Sequence, residues 1–277
     1  RLRELISRLE TLPSLPTLYS QLLGELESPD PSTTNLAQLV SQDMGMSVKI
    51  LQLVNSAFFG LRQHIPSSTQ AVLLLGLDTM KILGLSVQAF AHFDRAQLET
   101  LGLASLWNHS VSAATLARQI AHVEGGDRRL LDYAFTAGLL HDVGKLVLVT
   151  LLPAEYTQTW QRVVEQGEPL LATESELLGA THPQVGAYLL GLWGLPRPIV
   201  EAVAWHHHPP EHTADQFSLV TAVHVANVLA CELAAAAPIR AGFDIDRGYL
   251  DRLGLADHLP VWREICREAA AKGVSHE

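Results

Sequence analysis

His141 and Asp142 stand side by side in Gly138-Leu139-Leu140-His141-Asp142-Val143-Gly144-Lys145, where an apolar run ends by presenting an imidazole, a carboxylate and an amine. Further histidines recur at His109, His182, His206, His207 and His224, and Asn227 follows the last by one turn. Neutral imidazoles and a carboxylate form a ligand set suited to borderline divalent ions such as Fe, Mn, Ni or Zn. Residues this far apart can share one ion only if separate helices each aim one or two side chains at a common point, as in a metal site in the core of a helical bundle. Plainer roles exist for each. His109 can hydrogen-bond a carbonyl between helices, and Lys145 can be a surface lysine near a helix end. His206-His207-His208 can be a solvated helix terminus, the role assigned to His208. His224 is either a partner to a ligand or a core histidine.

The elements that must carry these residues read as helices, with apolar residues three and four apart and Pro, Gly and capping residues as punctuation. His109 falls in a helix of about 18 residues that begins near Trp107 and is stopped by Gly125-Gly126. Beyond it the patterning predicts helices near 128–151, 155–166, 170–178, 182–192, 196–207 and 217–235, then a short helix near Asp246 and a terminal amphipathic one carrying Trp262 and Ile265. His141-Asp142 thus lies inside a helix, His182 begins one after the cap Thr181-x-x-Gln184, and His206-His207 ends one before Pro209-Pro210. In the N-terminal part, Asn35 with Gln38 reads as a reciprocal cap, and Val48, Leu51 and Val54 form one stripe. Ser67 with Gln70 opens Ala71-Val72-Leu73-Leu74-Leu75, a run too apolar to face water, and Asp78 caps a helix through Phe90. Phe58-Phe59 reads as a core anchor. No convincing strand pattern occurs. The fold class is therefore all-α, a multi-helix bundle.

A chain of 277 residues with 48% hydrophobic content can bury a substantial core. Its net charge of -10, from 19 basic and 29 acidic side chains, argues against a broad nucleic-acid surface. Cys231 and Cys266 are the only cysteines and read as reduced, buried thiols. No apolar run approaches the roughly 18 residues that span a bilayer, and Arg1-Leu2-Arg3-Glu4 does not begin a signal peptide. These points predict a cytoplasmic protein without membrane insertion.

Several longer stretches carry a resemblance. LPSLP at 12–16, DMGMSVKILQLVNSAFFG at 43–60, IPSSTQAVLLLG at 65–76, AGLLHDVGKLVL at 137–148 and THPQVGAYLLGLWGLPRPIVEAVAWHH at 181–207 together resemble the HDOD domain, the HD-related output domain of bacterial signalling proteins. The ordered His109, His141-Asp142 and position 227 follow the pattern of the wider HD phosphohydrolase superfamily. The resemblance runs from about 12 to about 230, and ordinary HD hydrolases lack its N-terminal segments. It implies an N-terminal helical lobe over 1–98, an HD-like helical core over 99–235 and a C-terminal helical extension over 236–277, in one continuous unit.

Carried over by position, the resemblance implies one metal held by His109, His141, Asp142 and residue 227, where Asn227 replaces the family's aspartate and weakens the site. A second metal would use Asp142 as a bridge with His182, His206 and His207, all present. Any surviving catalysis would be metal activation of water for in-line attack at phosphorus, with Asp142 and Lys145 as the catalytic groups and Lys145 neutralising a phosphate oxygen. Where HD-GYP cyclic di-GMP phosphodiesterases carry their signature, this chain reads His208-Pro209-Pro210-Glu211-His212-Thr213, so that activity is not expected. The favoured expectation is a regulatory module that works mainly through protein contacts with receiver, sensor or cyclic-nucleotide domains, a homodimer being compatible. A metal-dependent phosphohydrolase acting on a nucleotide or phosphodiester is the alternative.

Overall fold

The computed structural model describes residues 106–192, 195–233 and 244–274, together with 30–42, 70–74 and scattered positions before 70. The chain divides into two compact units, one of Arg1–Glu10 with Arg95–Glu268 and one of Thr11–Asp94 with Ala269–Glu277. All described secondary structure is helical, as the periodicity predicts.

In the N-terminal unit, helix α1 spans Thr33–Gln42 and buries Leu36, Ala37 and Val40. Its cap differs from the expected one. Ser32 Oγ, not Asn35, accepts the N–H of Asn35, while the Asn35 amide reaches back to Glu25. Ser and Asn cap almost equally well, so the pattern alone does not choose between them. Ser67 does cap as expected, accepting the N–H of Gln70 at 3.3 Å. Ala71 and Val72 behind it are buried, but Leu73 and Leu74 are exposed, which corrects the reading of that whole run as core. Phe58-Phe59 and the helix expected over 78–90 lie outside the described residues.

The larger unit holds α2 (Leu106–Val123), α3 (Arg128–Leu140), α4 (Val143–Leu151), α5 (Pro153–Gln166), α6 (Leu170–Leu178), α7 (His182–Leu192), α8 (Arg197–Trp205), α9 (Leu219–Leu233) and α10 (Arg247–Arg252), and α11 (Leu259–Val274) begins in it. Helix α3 packs against α2, α8 and α9, and α7 against α4 and α8. Helix α9 is buried at every position from Leu219 to Ala230, as suits a helix apolar on all sides. Its polar side chains are satisfied: Thr221 Oγ1 meets Tyr249 Oη at 2.7 Å, and His224 and Asn227 bond into the site described below. Small residues of α2, among them Ala113, Ala114 and Ala117, let α3 approach closely.

The run expected as one helix over 128–151 is two, broken at His141-Asp142. His141 keeps helical dihedrals, but Asp142 sits at φ -100°, ψ 8°. The His141 ring donates from Nδ1 to the Gly138 carbonyl at 2.7 Å, the carbonyl that a continuing helix would give to the N–H of residue 142. In an unbroken helix neighbouring side chains point about 100° apart; the break turns both toward one centre. By length and composition Arg128–Leu151 would cross a membrane, which amends the expectation that no run approaches such a length, but 83% of its apolar window is buried in the protein. Its apolarity belongs to the core.

Candidate metal centre

Two glycines flank His141-Asp142 and set its surroundings. A Cβ on Gly138 would lie 2.6 Å from Ala114 Cα, so α3 can touch α2 only because that position is glycine. A Cβ on Gly144 would overlap the His182 carbonyl oxygen and come within 2.7 Å of the Gly186 nitrogen. The first contact brings α2, with His109, against the break; the second brings the start of α7, with His182. His206 follows α8 as its terminal cap, and Asn227 comes from α9.

These elements bring together every side chain singled out above as a ligand. His109, His141 and Asp142 form one group, and Asp142, His182, His206 and His207 a second, with ligand atoms inside each group within 4.8 Å of one another. Asp142 is common to both. Its Oδ2 lies 3.3 Å from His141 Nε2 and 3.9 Å from His109 Nε2, and its Oδ1 lies 3.2 Å from His182 Nε2 and 3.9 Å from His206 Nε2. Lys145, one turn along α4, donates to Asp142 Oδ2 at 2.6 Å. Asn227 Oδ1 is 2.9 Å from His109 Nε2.

The outer atoms of the rings fix their orientation. His206 Nδ1 donates to the Val203 carbonyl at 2.7 Å, and His182 Nδ1 donates to Glu174, 2.8 Å from Oε2. With the proton on Nδ1, Nε2 of a neutral ring is left as a lone pair aimed inward, the arrangement that metal-binding histidines adopt. His182 Nε2 is hydrogen-bonded to His207 Nε2 at 3.2 Å. Two buried atoms, Asp142 Oδ1 and His206 Nε2, have no hydrogen-bond partner. Orphaned acceptors of this kind are costly in a protein interior. Three imidazoles and a carboxylate oxygen around them fit a divalent transition ion.

Electrostatics prepare the same set. Burial drives His206 and His207 well below the ordinary imidazole range, the neighbouring rings adding to it, and burial with His141 takes His109 down to about 4, so all three are neutral at pH 7. His182 goes the other way: burial lowers it most, but the Glu174 charge together with the hydrogen-bonding oxygens of Asp142 and Glu174 outweighs burial and leaves the ring more basic than usual. Burial would raise the Asp142 carboxyl, yet the His141 ring and the Lys145 ammonium hold it well below the usual carboxylate range.

Glu174 is the participant that sequence reasoning missed. It is fully buried on α6 and accepts both the ring Nδ1–H and the backbone N–H of His182. A signal was available, since Glu174 falls on the buried stripe Leu170, Thr173, Glu174, Leu178, where a carboxylate needs a partner. His224 is a supporting residue: Nδ1 donates to the His206 carbonyl at 2.8 Å, and Nε2 accepts the N–H of Asp246 at 3.0 Å. His208 is exposed, as assigned. Neither cysteine is in a disulfide; Cys266 is buried, as expected, and burial pushes its thiol up to about 12, whereas Cys231 is only half-buried, which corrects the expectation for it.

The sequence model of the HDOD domain matches residues 12–209. This chain belongs to the HDOD family. His109, His141, Asp142, His182, His206 and His207 lie inside the matched part, and Asn227 lies beyond it. An uncharacterized protein from Treponema pallidum (strain Nichols) is 27% identical over 221 residues, covering 80% of this chain and 42% of that protein. The chain thus spans less than half the length of the curated relatives it matches. Among solved structures, an HDOD domain protein of unknown function from Geobacter sulfurreducens is 24% identical with a TM-score of 0.68, covering 99% of this chain and 94% of that one. A candidate phosphohydrolase from Shewanella amazonensis SB2B is 23% identical with a TM-score of 0.68, covering 98% and 96%. At these identities the likeness establishes a shared fold.

Proposed function

We propose that this HDOD protein is a signalling output module that retains an HD-type metal centre and acts mainly through contacts with other signalling domains, such as receiver, sensor or cyclic-nucleotide domains. The observation that carries this reading is the closure of the centre. His141, Asp142, His182 and His206 are at most 1% exposed, so a phosphate ester has no direct approach to the atoms that would act on it. Asp142, His182, His206 and His207 would hold an ion between α4, α7 and α8, where it would supply fixed positive charge. Asp142 and Glu174 balance that charge, and the His206 and His182 rings are locked by their outer hydrogen bonds. Metal binding of this kind is folding energy. The net charge of -10 favours protein partners over nucleic acid.

A phosphohydrolase acting on a nucleotide or phosphodiester is the second reading. It is favoured by the partial exposure of Lys145 (13%) and His109 (18%), which form a wet edge of the centre. On that edge Lys145 would hold a phosphate oxygen. Elemental analysis of protein purified without chelator, followed by assay against a panel of phosphodiesters and nucleotides with Fe, Mn, Ni or Zn supplied, separates the two. The signalling reading expects bound metal, a fall in melting temperature on chelation and no turnover. Turnover that disappears when His141→Ala is combined with Asp142→Ala sinks it in favour of the hydrolase.

A further inference from the structure

The two ligand groups that share Asp142 differ in how their polar atoms are satisfied. On the side of His182, His206 and His207, His182 Nε2 and His207 Nε2 pair with each other at 3.2 Å, while Asp142 Oδ1 and His206 Nε2 are left without a hydrogen-bond partner. On the side of His109 and His141 there is no orphan among the described residues. His109 explains the difference. Among the described residues its Nδ1 meets the Cys231 sulfur at 4.0 Å, a weak partner, and no carbonyl or carboxylate. Its Nε2 faces the Asn227 amide oxygen at 2.9 Å, and an amide oxygen only accepts. His109 Nε2 is thus engaged at 2.9 Å from Asn227 and 3.2 Å from His141 Nε2. Turning the amide over would fill the same His109 lone pair with an amide N–H. Either orientation uses the atom that a metal would need.

Lys145 completes the closure. Its ammonium lies 2.6 Å from Asp142 Oδ2, the oxygen that faces His109 and His141, and leaves Oδ1 to the other half. Charge points the same way. Paired ions in two-metal sites sit about 3.5–4 Å apart and need anionic ligands to screen each other. Here Asn227 contributes none, and the nearest carboxylate already carries an ammonium.

We propose that the His109 half of the centre is closed by the Asn227 amide and the Lys145–Asp142 ion pair, so that the chain takes one divalent ion, held by Asp142 Oδ1 with His182, His206 and His207, and that Asn227 keeps a second position shut. The proposal rests on the metal centre argued above. It is tested by stripping the folded protein with chelator, titrating with Mn(II) and counting bound ions per chain, with electron paramagnetic resonance of the loaded protein as a second readout. The wild-type chain takes one magnetically isolated ion, and Asn227→Asp takes two that are spin-coupled. Two ions in the wild type overturn the proposal and leave the metal centre standing; none overturns both. One ion in folded Asn227→Asp also overturns it. Should that variant not fold, His109→Gln decides: it keeps one ion, whereas His206→Ala binds Mn(II) at least about a hundredfold more weakly. Loss of the ion in His109→Gln overturns the proposal.

Discussion

Gly144 and His182 meet backbone to backbone, so closely that a Cβ on the glycine would overlap the His182 carbonyl oxygen. The contact sets α4 on α7 and thereby holds Asp142 next to the His182 ring. Replacing a helical glycine by alanine ordinarily gains up to about 1 kcal/mol. Gly144→Ala is expected to lose about 3 kcal/mol or more, because backbone atoms cannot move aside as a side chain can. Gly191→Ala, on the same pair of helices with nothing within 4 Å of its Cβ, is the control and is neutral or stabilising. Urea midpoints of the two variants check this, and equal midpoints would show that the helices can slide.

Glu174 holds His182 by ring and backbone together. Glu174→Gln keeps the shape but offers one acceptor oxygen to two donors and withdraws the charge that makes Nε2 basic. Affinity for Zn(II), measured by competition against a chromophoric chelator, is expected to fall about 10- to 100-fold. An unchanged affinity would mean that His182 is oriented by packing alone.

Most of the helical fold and the meeting of the ligand-type residues were legible in the sequence, because both are written in local patterns. His109, His182 and Asn227 lie on helices and His206 caps one, as their apolar spacing predicts, and Thr181 N–H does donate to Gln184 Oε1 at 3.1 Å. The break at His141-Asp142 was not legible. Apolar residues on both sides stay in step with one helical period, and the cause is a ring-to-carbonyl bond that spacing does not reveal. Glu174 escaped for a related reason: an acidic residue between Thr173 and Ser175 reads as solvent-facing unless its position on the buried stripe is counted. Tautomers are the least legible of all. Asn227 and an aspartate would occupy the same place and both accept from His109 Nε2, and what separates them is a charge.

Glu124 anchors the C-terminal helix. One of its oxygens, Oε1, accepts from Trp262 Nε1 at 2.9 Å and from His258 Nδ1 at 2.8 Å, and Trp262 is fully buried. Glu124→Ala strands the indole N–H and is expected to cost about 1–3 kcal/mol, with Glu124→Gln recovering part of the loss. Guanidinium unfolding followed by circular dichroism checks the order. A loss in Glu124→Gln as large as in Glu124→Ala would assign the effect to charge instead of to the stranded donor.

The depressed His109 carries a pH dependence whose sign follows from linkage. Burial, with His141 beside it, lowers the folded-state value from 6.5 to about 4, so above pH 6.5 the ring is neutral in both folded and unfolded chains and costs nothing. As pH falls from 6.5 toward about 4 the unfolded chain takes the proton first, and the folded state loses stability; below that range the loss levels off. One pKa unit corresponds to about 1.4 kcal/mol, which puts this single contribution at roughly 3 kcal/mol or less. His206 and His207 act in the same direction, so the wild type alone cannot isolate it. Comparison with His109→Gln can: in chelator-treated protein the drop in urea midpoint between pH 7 and pH 4.5 is expected to be smaller in the variant. An equal drop in both proteins would place the proton elsewhere and refute the neutral, Asn227-bonded state of His109.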